Sequence, residues 1–91
     1  MGNLPRLVLA DDHGLLLDAF ERLLEDAYTI VGTATDGAEL VRQALLLEPA
    51  AVVSDITMPA LSGLDAARAI LAKLPATRIV FLTVHEDASI A

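Results

Sequence analysis

The chain has 91 residues, enough for one small domain with a modest core and too few for two. Thirteen acidic against six basic residues leave a formal net charge of -7, which excludes this segment as a holder of nucleic-acid backbone by itself. Cysteine is absent, so there is neither a disulfide framework nor a thiolate metal site, and no run approaches the roughly eighteen apolar residues of a membrane span.

The first six residues lack the apolar core and cleavage site of a secretory signal, and with the missing cysteine this points to the cytoplasm. Arg6 to Ala10 then reads as a continuous apolar strand, closed by the turn Asp11-Asp12-His13-Gly14. Leu16, Phe20, Leu23, Leu24 and Ala27 recur at helical spacing opposite Asp18, Glu21, Arg22 and Glu25. That pattern predicts an amphipathic helix of about three turns with the apolar set inward. Thr29 to Ala34 is a second strand. Asp36 caps a second helix whose inner face is Val41, Ala44, Leu45 and Ala38, and Glu48-Pro49 stops it, because the residue before proline is pushed out of the helical region. The third strand, Ala50 to Asp55, enters the long turn Ile56 to Gly63, where Met58 and Pro59 are loop architecture. Gly37 and Gly63 serve turns or helix starts, where a missing side chain permits a close path. Leu64, Ala67, Ile70, Leu71 and Leu74 mark a third helix ended by Pro75. Arg78 to Val84 is the fourth strand, and His85-Glu86-Asp87 begins a loop or another helix.

Apolar strands alternating with amphipathic helices predict an α/β fold, a parallel sheet covered on two sides, and right-handed crossovers leave few topologies for it. In such sheets the site lies beyond the carboxyl ends of the strands, where strand order reverses. With strand one between strands two and three, Asp11, Asp12 and Asp55 converge there. Carboxylates so close take up protons, keep water between them, or share a cation. A hard divalent ion such as Mg2+ is the economical answer, because it prefers oxygen ligands and keeps waters that a phosphoryl group can replace. Asp55, alone at its strand end, is the candidate nucleophile toward phosphorus, Thr57 could lend the ion its backbone carbonyl, and Thr83 brings a hydroxyl within reach. His13 is expected to serve the turn or first-helix packing and polar contact, not metal binding or base chemistry. His85 is expected to do no direct chemistry, since the reaction needs no imidazole base.

Asp11-Asp12, Asp55 with Met58-Pro59 and Gly63 downstream, and Leu82-Thr83 at a strand end resemble the receiver domain of bacterial two-component response regulators. The DDH opening, the VVSDITMP run and the LTVHED ending are most similar to regulators with a helix-turn-helix output domain of the NarL/FixJ kind. The resemblance covers essentially the whole chain. It implies a flavodoxin-like doubly wound sheet of order 2-1-3-4, with residues 1–91 a truncated receiver domain lacking the family's fifth strand and last helix. It implies that Asp55 accepts a phosphoryl group from a cognate histidine kinase. Asp12 would be the more direct Mg2+ ligand and Asp11 the supporting one, beside Asp55 and the Thr57 carbonyl. Thr83 would bind a phosphoryl oxygen and move on activation, with Val84 and His85 flanking that switch.

A phosphoacceptor of this kind is not an enzyme, and it relays its state to an output domain that alone touches DNA. The family's phosphate-pairing lysine has no counterpart, Lys73 lying at the wrong end of the third helix, so slow labelling by small phosphodonors is expected. The truncation also predicts an exposed fourth strand around Phe81 and self-association through that edge. Two other readings stand beside this one. A magnesium-dependent aspartyl phosphohydrolase would use the same acids, but the Asp-x-Asp strand end of the common aspartate phosphatases is absent. A phosphorylation-independent association module would use the exposed edge alone.

Overall fold

The structure, a computed structural model, describes residues 4–82. They run β1 (Arg6–Ala10), α1 (Gly14–Leu24), β2 (Thr29–Ala34), α2 (Gly37–Leu47), β3 (Ala51–Asp55), α3 (Gly63–Lys73) and β4 (Arg78–Leu82). The strands form one parallel sheet in the order β2-β1-β3-β4, as the sequence predicts. From β1 the chain steps one way to β2 and then back across to β3 and β4. Right-handed crossovers therefore send α1 to one face of the sheet and α2 and α3 to the other.

Alternation along β1 divides the core between those faces. Val8 and Ala10 join Leu40 and Ala44 of α2, Val52 of β3 and Ala66 and Ile70 of α3. Leu7 and Leu9 meet Leu17 of α1, with Phe20 and Leu24 half-buried around them. Side chains two apart on a strand share a face, so this division follows from the pleat alone.

The helix ends obey local chemistry. Asp36 Oδ1 accepts from the Glu39 amide at 2.8 Å, and Ser62 Oγ accepts from the Asp65 amide at 3.2 Å, each satisfying a first-turn donor. At the far end of α2, Glu48 turns left-handed with φ 49° and its amide bonds the Ala44 carbonyl. Arg6 reaches across from β1 to donate to the Leu47 carbonyl at 2.7 Å, where a cation also suits the helix dipole.

The helix faces differ from the sequence expectation. On α1 the buried residue is Leu17, while Leu23 is 73% exposed, and Ala27 lies beyond the helix end and is exposed. On α2, Leu40 takes the core position instead of Leu45 and Ala38, and on α3, Ala66 takes one instead of Leu64 and Leu71. The reason at Leu23 is lateral: with Phe20, Leu24, Val53, Val80 and Leu82 it lines an apolar groove of about 290 Å³ between α1 and the β3–β4 side of the sheet. On that face α1 lies mainly over β1 and β2, with Ala51 and Val53 of β3 at the edge of the same cluster. Among the described residues the exposed apolar residue of β4 is Val80, whereas Phe81 and Leu82 are both half-buried.

Candidate functional site

Register sets the site. β1 and β3 pair Ala10 with Ser54, so Asp11, just past β1, and Asp55, the last residue of β3, come abreast at the same end of the sheet. Asp11 is 3% exposed, and its amide still donates to the Ala34 carbonyl of β2 at 3.0 Å, which holds the residue in the ladder beyond the strand. Asp12 is exposed and Asp55 half-buried, facing the crevice opened where β2 and β3 depart from β1.

His13 closes the group. Its amide donates to Asp11 Oδ1 at 2.8 Å, and its ring Nδ1 lies 3.1 Å from Asp11 Oδ1 and 3.0 Å from Asp12 Oδ1. One donor atom from each of Asp11, Asp12, His13 and Asp55 falls within 4.8 Å of all the others. The hydrogen bond to Asp11, the charge of Asp12 and, more weakly, those of Asp11 and Asp55 raise the imidazole pKa above its usual range. The ring is largely exposed, and its contacts are the polar ones at the turn that opens α1, as expected of a turn residue. Its place directly after the acidic pair was the available signal.

The loop between β3 and α3 is folded back over the strand end. Thr57 donates its amide to Asp55 Oδ1 at 3.3 Å, and Gly63 donates to the Ile56 carbonyl at 2.6 Å. A Cβ on Gly63 would fall on the Asp55 carbonyl oxygen, and one on Gly37 would fall on the Leu61 carbonyl. Both glycines are therefore demanded by close backbone approach. Met58 is buried in the core and Pro59 offers its carbonyl to the Leu61 amide at 2.7 Å. Lys73 ends α3, far along that helix from the strand exits. Thr83, Val84 and His85 lie outside the described residues.

The response regulator receiver domain family model matches residues 7–91. The chain belongs to that family. This receiver domain is 41% identical over 87 residues to the transcriptional regulatory protein MctR of Rhizobium johnstonii, a match covering 90% of this chain and 39% of MctR. It superposes with TM-score 0.85 and 32% identity on a two-component response regulator of the LuxR family from Aurantimonas sp., covering 97% of this chain and 64% of that one. The isolated receiver domain of RcsB from Salmonella enterica serovar Typhimurium, in the presence of phosphomimetic BeF3-, matches with TM-score 0.82 and 25% identity, over 97% of this chain and 67% of its own. The chain spans 39% of the length of the first curated relatives it matches. As a receiver domain it is a phosphoacceptor and not an enzyme. Among the described residues no helix is long and apolar enough to cross a membrane.

Proposed function

We propose that this domain is the phosphorylation-controlled input of a transcription regulator, with Asp55 the acceptor. The observation that carries this is the convergence of Asp11, Asp12 and Asp55 on one crevice, with only Asp11 fully buried. An Asp55 carboxylate oxygen attacks the phosphorus of a histidine kinase's phosphohistidine. An O–P bond forms as the P–N bond breaks, and its electron pair returns to the kinase imidazole. Asp55 is free to approach, since its one side-chain partner among the described residues is the Thr57 amide.

The donor set fits Mg2+, being carboxylate oxygen from three residues with no sulfur. Asp12, the more exposed, is the direct ligand, and Asp11, whose Oδ1 already takes the His13 amide, is the supporting one. Asp55 and the Thr57 carbonyl complete the oxygen set. When bound, the ion offsets the charge that gathers on the transferring oxygens. Thr83 is assigned to a phosphoryl oxygen on family resemblance, with Val84 and His85 beside it. The signal passes to an output domain outside this segment, which alone contacts DNA, in the cytoplasm.

Beryllofluoride tests this without a kinase, as RcsB was prepared with the same mimic. Fluorine NMR should show saturable BeF3- binding that requires Mg2+ and disappears in Asp55→Asn. Binding without Mg2+, or equal binding by the variant, would remove Asp55 from the role. Labelling that stops at one phosphoryl group per chain separates this reading from a phosphohydrolase, which would turn over.

A second reading concerns association. The groove along α1 and the outer edge of β4, which pairs only with β3 among the described residues, favour contact with a second copy through that side. Sedimentation should show a concentration-dependent dimer that Val80→Lys disperses. A monomer at all concentrations argues against it.

A further inference from the structure

Ser54 stands directly before the acceptor, yet the phosphoryl chemistry above leaves it without a role. Alternation along β3 puts its side chain with Val52 on the α2–α3 face of the sheet, where Ser54 is 1% exposed. A hydroxyl buried in an apolar layer is costly unless its proton finds an acceptor. Ser54 Oγ donates to the carbonyl oxygen of Asp55 at 2.8 Å. A further apolar β-branched residue would continue Val52-Val53 without that cost, so this bond is what distinguishes serine at the position.

The carbonyl it holds belongs to the peptide by which the chain leaves β3 for the loop. On another side the same oxygen meets Gly63, where an added Cβ would collide with it, and the Gly63 amide donates to the next carbonyl, that of Ile56, at 2.6 Å. The Asp55–Ile56 peptide is thus fixed by a hydroxyl from the strand and a glycine from the start of α3. Its tilt is set by ψ of Asp55, the one soft torsion between the Asp55 Cα and that peptide. The same tilt aims the loop beyond it, which brings the Thr57 amide to 3.3 Å from Asp55 Oδ1.

We propose that Ser54 is a positioning residue for phosphoryl acceptance: its hydroxyl fixes the Asp55–Ile56 peptide and so aims the Thr57 backbone at the Asp55 carboxylate. The inference rests on Asp55 being the acceptor and adds the residue that orients it. A group that orients such a site from behind touches neither phosphorus nor the ion, and it acts through the geometry of those that do.

Threonine and valine have the same outline, and each adds a methyl group to the same packed site. The difference between Ser54→Thr and Ser54→Val therefore isolates the hydroxyl. Fluorine NMR with Mg2+ and BeF3- should show Ser54→Val binding at least about threefold more weakly than Ser54→Thr, the size of one hydrogen bond. A serine with a merely structural part would change urea stability and leave those two affinities equal. Equal affinities, whether both variants bind or both fail, overturn the assignment, while Asp55-dependent binding by the wild type leaves the acceptor reading standing. A wild type that does not bind BeF3- overturns both. A second measurement needs no variant to fold: in the metal-free wild type the Ser54 hydroxyl proton should be protected from exchange and visible by NMR. A proton that exchanges as fast as that of an exposed serine would show that the bond is not made and overturn the assignment.

Discussion

At the scale of single residues, two aspartates leave adjacent parallel strands side by side yet meet different surroundings. Asp11 is buried and held by the β2 ladder and the His13 amide, while Asp55 keeps an accessible carboxylate under the folded-back loop. The imidazole between the acids makes the metal-free protein pH-sensitive. Its folded pKa is raised, so the stability it contributes is complete below its unfolded value near 6.5 and is lost as pH rises through the folded value. We expect the stability difference between the wild type and His13→Ala, measured in urea without metal, to shrink as pH climbs from about 6 to 8. Asp12→Asn should pull the His13 titration, followed by NMR, back toward the ordinary value. A titration unmoved by that change would show that the pair does not interact in solution. The three acids were legible in the sequence because each follows an apolar run that must stop at the sheet's edge. His13 was only half legible. Sequence neighbours establish that a ring is near, but its rotamer across the helix start decides which atoms it meets.

At the scale of elements, the β3–α3 loop is held by two glycines that let backbones touch. Gly63→Ala would press a methyl group against the Asp55 carbonyl and lift the loop. We expect a loss of about 1–3 kcal/mol in chemical denaturation together with weakened beryllofluoride binding. Normal binding with normal stability would mean that the loop adjusts freely. Arg6 gives a milder case. It ties the start of β1 to the end of α2 through the Leu47 and Glu48 carbonyls, and because it is exposed, Arg6→Ala should cost only about 0.5–1 kcal/mol. Helix ends were readable because capping is local chemistry, and Asp36 and the Glu48-Pro49 stop lie where that chemistry puts them. Helix faces were read less well. Successive residues turn by about 100°, so a leucine-rich stretch such as Leu15, Leu16, Leu17, Leu23 and Leu24 admits more than one apolar stripe, and the neighbouring sheet selects among them. On α1 it selects Leu17 and leaves Leu23 over the groove.

At the scale of the molecule, alternating elements and handedness narrow the sheet to a few topologies, and the family resemblance implied the order β2-β1-β3-β4 among them. The uneven cover of the sheet could be anticipated only as an exposed strand around Phe81. Among the described residues the structure puts that exposure at Val80 and, across the groove, at Leu23, while Phe81 and Leu82 are both half-buried. Two substitutions of apolar residues should consequently behave in opposite ways. Ile70 is fully buried between α3 and the sheet, so Ile70→Ala should cost about 2–5 kcal/mol. Val80 is 49% exposed, so Val80→Lys should shift stability by no more than about 0.5 kcal/mol. Its effect should appear instead in the native protein's binding of a dye such as ANS, which reports exposed apolar surface and should dim as the lysine enters the groove. Undiminished dye binding in a folded Val80→Lys variant would place the accessible apolar surface elsewhere, and the association reading would lose its support along with the groove.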